Sequence, residues 1–380
     1  MNETATMQNL FDRFLDHYRQ HHRLSTAQHK VCRHIGLCRT EALGGQFVHC
    51  DQCEFNQLRF HSCRNRHCPK CQRQASVEGC EQQLQHVVPA TYYHVVFTLP
   101  HSLNTWVRLH PETLYRCLFD SVWHTIKTFG RDPKRLDGQM GMTAALHTWG
   151  QTMVHHVHLH CLIPGGALSA DQQHWHPARS TYLFPVKALS RHFRGTMVSA
   201  LRHAWQDGQL ERLDAAQVKI QLDELMQCQW VVYSKPYINK AETVVEYLSR
   251  YTHKIAISDH RIEAMNDSHV GFGYKDYRDD KRKSMQLPAE DFIRRFLLHV
   301  LPPGFMRIRH YGFLSNRTRA AKLEIIRALL NQPPVAVEQR QSIESLSTQG
   351  PDPLHCLCPK CKQGHLRVCY EIAPKRHYQS

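Results

Sequence analysis

Three groups of side chains in this 380-residue chain have the types and spacing to do chemistry. The first is Val157-His158-Leu159-His160-Cys161-Leu162-Ile163, whose composition reads as a β-strand. Strand side chains alternate, so His158 and His160 project from one side, about 7 Å apart at Cα, while Leu159 turns towards a core. Two imidazoles so placed can share a divalent cation. Gln151 lies seven residues before His158, in range for a preceding strand to return a third ligand across a short turn. The second group is Tyr247-x3-Tyr251 within Ala241–His253, which puts two phenols on one helix face with Arg250 beside them. The third is cysteine. Cys50-x2-Cys53 and Cys68-x2-Cys71 are paired thiols of the kind that hold tetrahedral zinc, with Cys38 and Cys63 in reach. One site with spare thiols and two sites are both open there. Cys356, Cys358, Cys361 and Cys369 form a further cluster near the C-terminal end, around Cys358-Pro-Lys-Cys361.

The elements that must position these groups follow from periodicity. Leu10, Phe11, Phe14, Leu15 and Tyr18 give a short amphipathic helix over residues 7–22. Gln72–His86 is a plausible helix stopped by Pro89. Strands are expected at Tyr92–Leu99, Ala144–Trp149, Val157–Ile163 and Gln229–Tyr233, with a hairpin from Val270–Tyr274 and Lys283–Leu287. Leu109–Phe129, Val186–Gln206, Ala241–His253 and Ala289–Val300 read as helices. Mixed strands and helices in one block imply an α+β fold, an antiparallel sheet flanked by helices. The expected divisions are an N-terminal helix and zinc-binding domain (1–88), a central domain (89–320), a helix end and linker (321–354) and a small Cys/His tail (355–380). Asn331–Pro353 is linker-like in composition.

Composition narrows the partner. Lys and Arg number 48 against 33 Asp and Glu, a net charge of +15, which suits a polyanion. No apolar run approaches the roughly 20 residues that span a bilayer, and no segment reads as a secretory signal, so a reducing cytoplasm is expected. There clustered cysteines bind metal more often than they form disulfides. Tyr274, Lys275, Tyr277, Arg278, Lys281, Arg282 and Lys283 interleave rings with cations, and Arg307, Arg309, His310, Arg317 and Arg319 form a second basic stretch. Interleaved rings and cations of this kind suit contact with a polyanion.

These motifs, in this order, resemble the two-tyrosine HUH transposases of rolling-circle insertion sequences, the IS91-like family. His158-Leu159-His160 looks like the HUH motif (His, hydrophobic, His), Val96-Phe97-Thr98-Leu99-Pro100 like the first strand motif, and Tyr247-x3-Tyr251 like the paired tyrosines. Cys63-Arg64-Asn65-Arg66-His67-Cys68-Pro69-Lys70-Cys71 resembles the family's zinc-binding domain, and Arg309–Arg317 a segment that follows its nuclease core. The match extends over roughly residues 38–320.

The resemblance implies an enzyme that nicks and rejoins single-stranded DNA through 5′-phosphotyrosine linkages. Tyr247 and Tyr251 would be the nucleophiles; His158, His160 and Gln151 would hold Mg²⁺ or Mn²⁺, and Zn²⁺ would be structural. It further implies DNA contacts through Arg250, Lys275, Tyr277, Arg282, Arg309 and Arg317, and action on the bacterial nucleoid. No Gly-x4-Gly-Lys-Ser/Thr loop occurs, so strand separation would fall to a host helicase. A plasmid-type replication initiator or relaxase uses the same chemistry and is the nearest alternative. A non-catalytic zinc-dependent regulator would leave the His-x-His strand and the tyrosine pair without a role.

Overall fold

The computed structural model describes residues 5–72, 87–88, 90–178, 182–237, 255–331 and 357–375. Its helices are α1 (Met7–His21), α2 (Thr26–Leu37), α3 (Asn104–Leu109), α4 (Pro111–Arg131), α5 (Val186–Gln206), α6 (Ala215–Gln227), α7 (Ala289–Leu297) and α8 (Arg319–Leu329). Its strands are β1 (Gly45–Cys50), β2 (Asn56–Phe60), β3 (Tyr92–Thr98), β4 (Gly141–Trp149), β5 (His155–Pro164), β6 (Gly166–Leu168), β7 (Trp175–Pro177), β8 (Val232–Tyr237), β9 (Ile262–Met265), β10 (His269–Asp276), β11 (Lys281–Pro288), β12 (Ile308–Gly312) and β13 (Leu366–Ile372). This is the expected α+β architecture of antiparallel sheets and flanking helices. Among the described residues no helix is long and apolar enough to cross a membrane.

The chain divides into two compact units, one from Met1–Ala75, Ile257–Arg294 and Val335–Ser380, the other from Ser76–Ala256 and Arg295–Pro334. The hairpin of β10 and β11 falls in the first of these units, and so does the C-terminal strand β13. A segment as short as the tail cannot bury a core of its own. Instead β13 pairs antiparallel with β1 in the order β13-β1-β2, and Leu366 and Val368 pack with Val48. In the same unit α1 starts at a Thr6 cap and buries Leu10, Phe11, Leu15 and Tyr18, and a Ser25/Gln28 capping box opens α2.

The second unit is built on a five-stranded antiparallel sheet, in the order β12-β4-β5-β3-β8. Alternation along its strands sends Val95 and Phe97 of β3, Leu146 of β4, and Leu159 and Cys161 of β5 to one face. There they pack with Leu118, Phe119 and Val122 of α4 and Phe193 and Met197 of α5. Phe193 meets Phe97 and Trp230 edge-on, each at 5.1 Å between ring centroids. Pro111 sits in the first turn of α4, and the Asp214 carboxylate caps α6 by accepting from the Gln217 amide at 3.0 Å. The other face of the sheet carries the histidines.

The expected strand at Gln229–Tyr233 begins later, at Val232, and the helix expected to reach Val300 stops at Leu297. Helices α2, α6 and α8 and the short strands β1, β2, β12 and β13 were not foreseen. The helix expected over Ala241–His253, most of that over Gln72–His86, and the linker lie outside the described residues.

Candidate metal centres and the histidine face

Residues directly opposite in an antiparallel ladder share a face. His147 on β4 pairs with His158 on β5, and Ala145 with His160. His147, His158 and His160 therefore converge, and their ligand nitrogens all lie within 4.8 Å of one another. The Nδ1 of His158 lies 2.9 Å from the carbonyl of His156, to which it donates. That bond fixes the tautomer and leaves Nε2, 3.0 Å from the Nε2 of His160, as the lone-pair nitrogen. On its far side the Nδ1 of His160 meets the Nε2 of His94, from β3, at 2.9 Å. Burial, and then the charge of Lys235, push His94 down to about 4, so its imidazole is neutral near pH 7. Three converging imidazoles, two of them with oriented outer nitrogens, form a donor set suited to a divalent transition metal and, with water filling the remaining positions, to Mg²⁺.

Gln151 is the third ligand expected from the sequence. Gln151 lies in the β4–β5 turn, where the Met153 amide bonds the Gly150 carbonyl and the Gly150 amide the Val154 carbonyl. It is His147, on the strand itself, that stands beside the HUH pair. The sequence signal was available: folding the chain back about residues 151–153 brings position 147 opposite 158, one residue out of simple register because of a bulge between His147 and Trp149.

The cysteines fall into two four-sulfur sets, Cys38/Cys63/Cys68/Cys71 and Cys50/Cys53/Cys358/Cys361. The two Cys-x2-Cys pairs of the N-terminal segment thus belong to different sites. Tetrahedral Zn–S bonds of about 2.3 Å require sulfurs about 3.8 Å apart. Cys38–Cys71 and Cys63–Cys71 are at 3.6 Å, and Cys50–Cys361 and Cys53–Cys358 at 3.7 Å. Backbone amides point at the sulfurs, from Cys63 to Cys38 at 3.5 Å, from Gln52 to Cys50 at 3.4 Å and from Gly364 to Cys361 at 3.3 Å. Amides of Gln363 and Gly364 hold the Cys361 thiol down at about 6, in the thiolate form zinc binds. A Cβ on Gly364 would stand 2.5 Å from the Cys50 sulfur, so only glycine fits there. Both sets fit structural Zn²⁺. Cys369 is exposed on β13 and outside both sets, and Cys356 lies outside the described residues.

The expected DNA contacts separate. Tyr277 is 69% exposed at the tip of the β10–β11 hairpin, and Arg282 and Arg317 are exposed. Lys275 instead pairs with Asp280 at 2.6 Å, and Lys283 with Asp276 and Asp279 at 2.7 and 2.8 Å, so the hairpin neutralises part of its own charge. Arg309 is half-buried. It pairs with Ala144 on the helix-covered face, and its guanidinium stacks 4.3 Å from the Phe119 ring centroid and 5.2 Å from that of Phe305. Its neighbour His310 is the one on the histidine face, bonded to the Thr143 hydroxyl at 2.9 Å. Arg250, Tyr247 and Tyr251 lie outside the described residues.

Fold and site together define a class: a basic α+β protein with two four-cysteine sets suited to structural zinc and three converging imidazoles on one face of an antiparallel sheet. The family described as "Putative transposase" matches residues 141–322, which contain the three histidines, and that described as "Transposase zinc-binding domain" matches residues 10–99. The chain is 40% identical to "Putative transposase y4qJ" of Sinorhizobium fredii (strain NBRC 101917 / NGR234) over 94% of its own length and 93% of the relative's. It is 26% identical to "Transposase for insertion sequence element IS801" of Pseudomonas savastanoi pv. phaseolicola, over 74% and 68% of the two chains. No solved structure matches significantly. The chain belongs to the IS91-like family of transposases, enzymes that cut and transfer DNA strands.

Proposed function

We propose that the chain nicks and rejoins single-stranded DNA at insertion-sequence ends through 5′-phosphotyrosine linkages, in rolling-circle transposition. The observation that carries the reading is the convergence of His147, His158 and His160 on the sheet face, in a chain that also holds Tyr247-x3-Tyr251. His147, His158 and His160 would bind Mg²⁺ or Mn²⁺, with His94 holding the His160 ring in its tautomer. An ion there supplies charge to offset the phosphate oxygens and a template for the scissile bond. Tyr247 or Tyr251 attacks phosphorus through its phenolic oxygen; the P–O3′ bond breaks and the strand leaves with a free 3′-hydroxyl. The phosphodiester energy is kept in the phosphotyrosine, so attack by a 3′-hydroxyl can reseal a strand, and two tyrosines allow two such exchanges. The substrate would reach the enzyme already single-stranded, through transient opening or a host helicase, at the nucleoid in the cytoplasm. Mixing the protein with a labelled single strand from the element's end and Mn²⁺ tests this: a denaturation-resistant adduct is expected, and its absence would refute the covalent mechanism.

A further inference from the structure

We propose that β8, the outer strand of the central sheet, carries a subsite for the DNA strand, in which Tyr233 stacks a base and Lys235 meets a neighbouring phosphate. The inference rests on the single-strand reading above and names how that strand is held. Tyr233 pairs with Val96, and Val96 with His160; in the next row Lys235 pairs with His94. Tyr233 and Lys235 are therefore on the same face as the three metal-site histidines. Strands lie about 4.8 Å apart, so the Tyr233 backbone is about 10 Å from that of His160. Exposure alternates into β8: Val231, just before the strand, is 63% exposed, Val232 8% and Tyr233 53%. Val232 anchors the strand in the helix-covered core, while the phenol on the other side is offered to solvent.

An exposed lysine on an edge strand has an ordinary explanation, since it discourages pairing with a second sheet edge. A half-exposed aromatic ring two residues away, aimed to the face that carries the imidazoles, is not explained that way. Ring and amine together meet the two recurring demands of single-strand binding, a π-face for a base and a cation for the backbone. A base held here would fix which phosphate reaches the histidines, and so the position of the cut.

Full-length protein and a labelled single strand from the element's end, without Mn²⁺, provide the test. Tyr233→Ala should bind that strand about fivefold to a hundredfold more weakly, the loss of one stacked base, whereas Tyr233→Phe should bind as wild type. Lys235→Ala should lower the slope of log affinity against log salt by about 0.7, one phosphate contact. Mn²⁺ affinity and zinc content should be unchanged in all three, which also certifies the fold; if Tyr233→Ala fails that check, Tyr233→Leu removes the ring while keeping bulk. Unchanged binding in a folded ring-less variant, or an unchanged salt slope in Lys235→Ala, would overturn the subsite. So would loss of binding in Tyr233→Phe, since the hydroxyl and not the ring would then matter. A wild type that binds through Tyr233 yet forms no adduct with Mn²⁺ would leave the subsite standing and remove the covalent reading. Adduct formation together with unimpaired binding by Tyr233→Ala would do the reverse.

Discussion

His147 and His158 stand opposite each other across the β4–β5 ladder, with ring centroids 5.5 Å apart, and His160 completes the group from the same strand as His158. This relationship sets a third imidazole, on a strand, beside the two-histidine motif. His147→Ala should therefore lose more Mn²⁺ affinity than the roughly 10–100-fold that removal of an outer partner costs, and nicking with it. Gln151→Ala should keep most of both. Titration of Mn²⁺ by electron paramagnetic resonance distinguishes the two variants.

His94 would be a positioning residue, since it meets the His160 Nδ1 at 2.9 Å. His94→Ala should weaken Mn²⁺ binding about 10–100-fold. His94→Asn, which keeps a polar partner on β3, should recover part of it. A purely structural role would instead lower the melting temperature of both variants and leave the metal affinity of the folded protein alone.

Zinc should be present at two ions per chain, one in each four-sulfur set. Cys358→Ser and Cys50→Ser should each lose the same ion although the two residues are far apart in sequence, and the double variant should lose no more. Cys63→Ser should lose the other ion. Metal analysis of purified variants decides this; two ions retained after Cys358→Ser would break the pairing of β1 and β13 segments into one site.

Acid should destabilise the unit built on the five-stranded sheet. His299 is fully buried, and burial pushes it down to about 3 from an ordinary value of 6.5, against a raising contribution from its bond to the Met153 carbonyl. Below about pH 6.5 the unfolded chain takes up a proton that the native state refuses. Stability should be flat above that pH and fall by at most about 1.4 kcal/mol per pH unit from this group as pH drops towards 3. His155 and His310, each pushed down to about 4 mainly by burial, act with the same sign. Urea unfolding between pH 8 and about 5 measures the slope, which His299→Gln should reduce.

How much of this was legible in the sequence depends on how local the determinant is. The His158-x-His160 pair could be read because a strand's period of two is set by its own backbone, and Val186–Gln206 because one helical stripe defines it. The role of His147 could not be read from its neighbours, since it depends on a hairpin register and a bulge. Pairing of Cys50 and Cys53 with Cys358 and Cys361 depends on a contact across the length of the chain. Arg309 looked like a DNA contact by charge alone. Its register with Ala144 and its stacking on Phe119 depend on a pairing of β12 with β4 that its neighbours do not announce.

The covalent step is the centre of the proposed mechanism, and the most direct measurement is a denaturing gel of the protein with a single strand labelled at its 3′ end, downstream of the cut, under Mn²⁺. Wild type should carry the label as a covalent adduct, and Tyr247→Phe and Tyr251→Phe should each reduce transposition. The double variant should carry no label while still binding the strand. Label retained on the double variant would contradict the assignment of these tyrosines as the nucleophiles.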